Sequence, residues 1–355
     1  MNVLLFIAGT LLVLLVARDV FTAILVPGRT QRRFRFIPYY FHATWYVWSA
    51  AARRVRDEAA RESCFAIYAP LAMLVLLGLW ALGLMVGFSL IQVAFTPGPW
   101  PRAFFESIFA SGARMFTAGV GEWARYATAS KVLVVLVSAT GLGFFTIVIT
   151  YLPVLYQLFS RREAHVIMLD ERAGSPVSAA ALIQNHARRR AIGRLDELLE
   201  DWEKWSAELL ESHVSYPMLS YYRSQHSDQS WLTAVAVIMD VCAMRMAGAG
   251  GIDQFQAEAT LSMCLRAMRS ISETLRIEPL STYDNRLPLE RCSVLADKLR
   301  EWDLPDGGRD FWPRLSQVRE SYEPTLAAMA AYFLIGLPEW IPAAMIEAPL
   351  EAVRS

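Results

Sequence analysis

The residues with the most chemistry to offer lie in one short run, Ser111-Gly-Ala-Arg-Met-Phe-Thr117-Ala-Gly-Val-Gly-Glu122. Glycines at 119 and 121 permit backbone angles that residues with a Cβ resist. They let the consecutive carbonyls of Thr117, Ala118, Gly119 and Val120 turn toward one axis. Oxygens aligned in this way can replace the water shell of a monovalent cation. The Thr117 hydroxyl adds an oxygen at the inner end, and Glu122 puts an acid beyond Gly121. One chain supplies one such loop, so a closed ring of oxygens needs several copies of the chain. A T-x-G-x-G string alone is weak, because any glycine-bearing loop can produce it. Its weight comes from the elements that would hold it.

Other chemistry is hard to find in the chain. Cys64, Cys242, Cys264 and Cys292 form no C-x-x-C and no metal spacing, so they read as reduced, packed thiols. The histidines His42, His165, His186, His213 and His226 show no H-E-x-x-H and read as structural. No G-x-G-x-x-G follows a strand, and there is no P-loop and no nucleophile elbow. An enzyme and a bound cofactor are therefore not expected. The basic residues form no basic domain: residues 1–160 carry 13 basic and 6 acidic side chains, and residues 161–355 carry 21 and 28. Nucleic-acid binding is not expected either.

The positioning elements are apolar. Of 355 residues, 55% are hydrophobic and 19% charged, against about one quarter charged in soluble domains. Residues 1–28 carry no charge except Arg18 and Asp19, and residues 63–101 and 132–160 carry none. A helix crosses hydrocarbon with about 20 apolar residues, so spans are expected near 3–26, 66–95 and 131–159. A cleaved signal peptide is the rival for the first span, but it lacks a basic n-region and a small-x-small site. The connector 29–61 holds eight arginines, which places it in the cytoplasm by the positive-inside rule. The N-terminus is then outside the inner (cell) membrane and the C-terminal half cytoplasmic, with Arg161 and Arg162 closing the third span. Tyr39, Tyr40, Trp45, Tyr46 and Trp48 suit a connector helix in the headgroup layer, in contact with lipid. Between the second and third spans, Pro97-Gly98-Pro99 is followed by an apolar stretch from Ala103 to Phe116. It is too short to span and fits a re-entrant helix. Irregular backbone at that depth survives only when buried in protein or lining a water path. Span, half-helix, glycine loop and span together give the layout of a pore.

The run from 111 to 122 resembles the pore signature of potassium channels, whose usual filter reads T-V-G-Y-G-D. Thr117, Gly119, Gly121 and the acid at 122 are kept. The resemblance extends to Glu106-Ser-Ile-Phe-Ala-Ser-Gly112, Tyr151-Leu-Pro-Val-Leu-Tyr-Gln157, Ser160-Arg-Arg-Glu163, Gly174-Ser-Pro176, His213-Val-Ser-Tyr-Pro217, Tyr221-Tyr-Arg-Ser224 and Ser230-Trp231. These are similar to segments of bacterial two-pore-domain-like potassium channels, although only one pore segment is found here. The resemblance covers roughly residues 60 to 245 and implies potassium conduction, with K+ at Thr117, Ala118, Gly119 and Val120. Three departures stand out. Val120 replaces the aromatic that braces the filter, Ala118 replaces a branched residue, and Arg114 replaces a small hydroxyl residue three positions before Thr117. Arg114 could reach Glu122 as a substitute brace, pair with Glu106, or snorkel outward.

In the third span, Gly141 and Gly143 allow either a gate hinge or close packing, and Pro153 can introduce a kink. Thr140, Thr146 and Thr150 face a cavity or bond their own backbone. Asp19 either ties the first span to a neighbour or to the connector arginines, or acts on ions. Residues 161–355 read as helices near 176–190, 193–212, 231–247, 253–277, 287–302 and 314–336. Ser175-Pro176, Ser230 and Asp253 are expected starts, and Gly248-Ala-Gly-Gly251 a stop. The segment from His213 to Trp231 is either a pocket for an unidentified cytosolic ligand or a hydrogen-bonded helix junction. Arg188-Arg-Arg190 reads as a solvated face, and 325–336 as a buried packing helix.

The expected fold is an all-α membrane protein: an N-terminal span with a basic interfacial linker (1–62), a potassium-channel-like pore module (63–160) and a cytosolic helical domain (161–355). The expected function is passive cation conduction through a tetramer, gated by the cytosolic domain. The alternatives are a non-selective cation channel and a non-conducting, channel-like sensor or scaffold.

Overall fold

The structure is a computed structural model that describes residues 2–24, 36–96, 100–116, 128–174, 176–224, 229–249, 254–305 and 308–347. Among them it is helical throughout, with no β-strand. Three helices are long and apolar enough to cross a membrane: Val3–Ala23, Glu58–Phe95 and Lys131–Ala173. The described residues form two compact units, one of Met1–Ala50 with Ile67–Gln157, the other of Ala51–Ala66 with Leu158–Ser355. The N-terminal helix thus belongs to the same unit as the two long spans.

The first unit is built from α1 (Asn2–Ile24), α2 (Phe36–Ala52), most of α3 (Glu58–Phe95), α4 (Trp100–Met115) and the first part of α5 (Thr128–Ala173). Helix α1 packs on α3 through small residues. A methyl group on Gly9 would collide with the Gly87 carbonyl, and one on Gly83 or Gly87 would stand 2.9 or 2.7 Å from a methyl of Val16 or Val13. Lipid tails are as apolar as leucine, so helices in a bilayer associate by this kind of backbone approach. Helix α2 has one face docked. Phe41 and Trp45 are buried, the Tyr40 hydroxyl donates to the Ala72 carbonyl at 2.7 Å, and the Tyr68 hydroxyl donates to the Phe41 carbonyl at 2.9 Å. Tyr39, Tyr46 and Val47 form its exposed face, so the aromatic connector is a helix with a packed side and an open side.

Helix α5 does not end at 159, where the apolar run stops. It continues to Ala173, 46 residues in all, or about 69 Å at 1.5 Å per residue. The polar extension stays helical because Arg162, Val166, Leu169 and Ala173 keep a buried stripe at helical spacing. Gly174 ends it at φ +81°, its N–H reaching the Asp170 carbonyl at 2.8 Å. That left-handed stop is glycine's usual place.

The second unit gathers around α8 (Trp231–Ala247), buried from Trp231 through Arg245. It starts where Ser230 caps it, the hydroxyl accepting from the Leu232 N–H at 3.1 Å. It stops at Gly248, at φ +116°. Around it lie α6 (Ala179–Arg188), α7 (Arg194–Ser215), α9 (Phe255–Leu275), α10 (Leu289–Glu301), α11 (Phe311–Glu320) and α12 (Glu323–Phe333), with the short α13 (Ala343–Glu347) beyond. Two expectations are corrected here. Helix α6 starts at Ala179, not 176, because the Ser178 hydroxyl accepts from the Ala181 N–H at 3.1 Å and caps it there. The helix expected over 314–336 is two helices broken at Ser321–Tyr322. Pro324 sits in the first turn of the second, and a proline cannot continue a helix from behind. Ser175 and Asp253 lie outside the described residues.

Candidate pore module and buried charge clusters

The short helix α4 carries a buried stripe, Ala103, Ser107, Ser111 and Met115, on one face. On the other face Phe105 and Phe109 are 63% and 77% exposed. Its C-terminal turn is wedged between the long helices. Gly112 leaves so little room that a methyl there would stand 2.6 Å from the Met85 Cε of α3. On the other side Gly141 of α5 lies against the Met115 backbone, where any side chain would collide with the Met115 carbonyl. Gly143 faces open space. Gly141 is therefore a contact point between α5 and α4.

Arg114 is buried, and its Nη1 donates to the Gln92 side-chain oxygen of α3 at 2.9 Å. It does not snorkel outward. Glu106 is exposed and pairs with Arg102 at 3.2 Å. The loop that follows, with Thr117, Ala118, Gly119, Val120, Gly121 and Glu122, lies outside the described residues, and so does the Arg114–Glu122 pairing. The Ser111 hydroxyl is fully buried without a hydrogen-bond partner among the described residues. On α5, the Thr140, Thr146 and Thr150 hydroxyls each donate to the carbonyl four residues back, at 2.7, 2.9 and 2.7 Å. Pro153 sits inside the helix and cannot donate to the carbonyl four residues before it.

Asp19 accepts from the Trp80 indole N–H at 2.8 Å, which ties α1 to α3.

In the second unit, the segment from His213 to Trp231 is organised by Arg162 of α5. Arg162 is 4% exposed. It donates to Glu163 at 3.0 Å, to the Leu219 carbonyl at 2.9 Å and to the Tyr222 carbonyl at 2.8 Å, and meets His213 Nε2 at 3.3 Å. Phe159 and Trp231 lie against its guanidinium plane. His213 Nδ1 stands 3.0 Å from the Leu209 carbonyl. If Nδ1 donates there, Nε2 is free to accept from Arg162, which is the neutral tautomer. Burial first, and the Arg162 charge second, hold the His213 pKa well below its usual 6.5. The part of the segment around His213, Leu219 and Tyr222 is thus a hydrogen-bonded junction. Arg162 is buried inside it and is not a headgroup anchor at the end of a span. Farther along, Tyr221 meets the Tyr332 hydroxyl at 2.8 Å, and Arg223 donates to the Phe333 carbonyl at 2.7 Å. His226 lies outside the described residues.

Two further features of this unit bear on its chemistry. One is a buried ion cluster. Arg286 donates to both oxygens of Asp240 at 2.8 Å, and to Glu323 at 2.8 and 3.1 Å. The Tyr322 hydroxyl also donates to Asp240 at 2.8 Å. Arg319 meets Glu323 at 3.4 Å and brings the cluster to neutrality. Burial raises the Asp240 carboxyl to about 6 even though Arg286 opposes the shift. The lone acid inside the apolar run of α8 was a signal, but nothing in the sequence named Arg286 as its partner. The other feature is a cleft of about 1240 Å3 with Glu62, Arg223, Ser224, Gln229 and Leu334 on its walls. The Ser224 hydroxyl and the Gln229 side-chain oxygen have no hydrogen-bond partner there among the described residues. No group of His, Cys, Asp and Glu among the described residues is arranged to hold a metal ion.

Compared with known proteins, the chain matches no family model, no curated protein and no solved structure.

Proposed function

We propose that the protein is a tetrameric, potassium-channel-like pore that passes monovalent cations down their gradient. The observation that carries this reading is α4. A helix of 16 residues, too short to span, stands between two spanning helices and leads directly into Thr117-Ala-Gly-Val-Gly-Glu122. Its contacts support the same reading. The C-terminal turn is fixed to α3 through Arg114–Gln92 and to α5 through Gly141, so the start of the glycine loop is held from two sides. The exposed Phe105 and Phe109, with Val135, Leu142 and Ile149 on α5, offer apolar faces to neighbouring subunits.

In this reading the loop carbonyls replace the ion's water, and α5 carries movement of the cytosolic helices toward the pore. Arg162 is the point where α5 is gripped. The cleft beside Glu62 and Arg223 is where a cytosolic ligand would act. A non-selective pore is the second reading, and Val120 favours it because an aliphatic side chain cannot brace the loop as an aromatic does.

The test is flux from liposomes loaded with potassium against external sodium. Barium-sensitive flux with strong potassium preference supports the first reading, and equal potassium and sodium flux the second. Absence of flux in both the full chain and an Arg162→Ala chain, each shown to be tetrameric, would overturn conduction and leave the sensor or scaffold.

A further inference from the structure

A groove of about 480 Å3 runs between α1 and α3 in the first unit, within the size range of ligand sites. Leu12, Leu15, Leu79 and Gly83 form its length, and Arg18 and Asp19 stand at one end. Hydrocarbon surrounds these helices if they cross a bilayer, and an aliphatic groove in such a surface is filled by an acyl chain.

The polar end is selective. Helix α1 has 23 residues, or about 34 Å, against roughly 30 Å of hydrocarbon. Arg18 and Asp19 lie about one and a half turns from its C-terminal end, so both can reach the headgroup layer. Arg18 and Asp19 are neighbours on α1, so their side chains leave the helix about 100° apart. Asp19 accepts from the Trp80 indole through Oδ2 and from the Phe36 backbone N–H, which fixes the carboxylate; with about four lone-pair sites it can still take another donor. The Arg18 guanidinium is exposed. The groove thus ends in a fixed anion beside a cation. That pair complements a headgroup carrying both a phosphate and a hydrogen-bonding ammonium. A purely anionic headgroup gives Asp19 no further donor, and a trimethylammonium group has no N–H to give it.

We propose that this groove holds one diacyl phospholipid with a primary-amine headgroup, its phosphate on Arg18, its ammonium on Asp19 and one acyl chain along Leu12, Leu15 and Leu79. The assignment requires only that α1 and α3 cross a bilayer, so it stands or falls separately from ion conduction.

The full-length protein is equilibrated with equal amounts of phosphatidylethanolamine, phosphatidylglycerol and phosphatidylcholine. It is then stripped into detergent, and retained lipid is read by native mass spectrometry. The wild type should keep phosphatidylethanolamine over the other two by roughly fivefold, the worth of one interfacial charge contact. Arg18→Gln should lower retention of all three by about the same factor. Asp19→Asn should abolish the preference for phosphatidylethanolamine. Trp80→Phe, which removes the indole bond but keeps the carboxylate, should retain a preference and so separates headgroup recognition from loss of fold. Equal retention of the three lipids by the wild type, no retained lipid, or retention indifferent to Arg18→Gln and Asp19→Asn would each overturn the proposal.

Discussion

In the first unit two charged side chains each meet a neutral group: buried Arg114 donates to the amide of Gln92, and half-buried Asp19 accepts from the indole of Trp80. In the second unit the buried charges meet other charges: Arg286 lies between Asp240 and Glu323, and Arg162 holds Glu163. The contrast follows from what drives each unit together. Membrane helices gain little from hiding apolar surface from lipid, so close backbone contact at Gly9, Gly87 and Gly141 and single hydrogen bonds set their registry. On the proposed topology the second unit hides apolar surface from water, and that larger gain can tolerate the desolvation of an ion cluster. Substitutions at the two kinds of site should therefore fail differently.

The largest effect is expected in the second unit. Arg286→Met leaves the Asp240 and Glu323 carboxylates, 1% and 2% exposed, without their main cation. Stranding a buried charge costs about 3–5 kcal/mol. Hydrogen exchange of the α8 and α12 amides should accelerate accordingly, while the α1 amides stay unchanged. The quadruple variant Asp240→Leu, Arg286→Met, Arg319→Met, Glu323→Leu removes all four charges of the cluster and should recover most of that loss. A single variant as stable as wild type would mean that the cluster is not a unit.

Next is a test of close packing in the first unit. Gly141→Ala places a methyl against the Met115 carbonyl, and overpacking of this kind costs about 1–3 kcal/mol. Gly143→Ala meets nothing within 4 Å and replaces a poor helix former, so it should be neutral or stabilising by up to about 1 kcal/mol. Thermal unfolding in detergent distinguishes them. If both behave alike, Gly141 is not a contact point.

Much of this difference was visible in the sequence, and the reason is physical. A membrane helix announces itself by what it lacks, so the charge-free runs 63–101 and 132–160 located α3 and α5. Local signals also worked where one residue decides: Ser230 and Gly248 bound α8 at both ends. The Gly83-x-x-x-Gly87 spacing could have pointed to the face that meets α1. What stayed hidden depends on residues far apart in the chain. Arg286 stands 46 positions from Asp240, and Arg162 lies 51 from His213. Arg161 and Arg162 look alike beside an apolar run, yet the first is exposed and the second buried. What separates them is the distant segment around Leu219 and Tyr222, whose carbonyls close over Arg162 and not over Arg161.

Acid should act on the two clusters of the second unit in opposite directions. His213 is held neutral in the fold, with a pKa well below the unfolded value of 6.5. Its stabilising contribution is therefore present above pH 6.5 and is lost as pH falls below it, by up to about 1.4 kcal/mol per pH unit. Asp240 has a folded value of about 6 against 3.8 unfolded. Its contribution is largest below 3.8 and is lost as pH rises through 6. Between these values the curves oppose each other. His213→Gln should remove the acid-destabilised limb below pH 6.5 in denaturant titrations of the full chain. Asp240→Asn should steepen what remains of that limb in the wild-type background. A stability profile unchanged by His213→Gln would mean that the imidazole is not buried neutral.

The smallest expected effect bears most directly on the first unit. Trp80→Phe keeps the ring that is packed on α1 but deletes the N–H given to Asp19. In water-facing protein, removing one partner of a buried charged group would cost several kcal/mol, as at Arg286. Among membrane helices the measured worth of a side-chain hydrogen bond averages about 0.6 kcal/mol, because the separated helices also find polar partners. Asp19 has such a partner at hand in the Phe36 backbone N–H. Trp80→Phe should therefore lower the stability of the α1–α3 pair by roughly that small amount, read as the detergent concentration at which α1 amides lose exchange protection. A loss comparable to that of Arg286→Met would mean that Asp19 is buried as the second unit's acids are. The two units would then handle charge by the same rule.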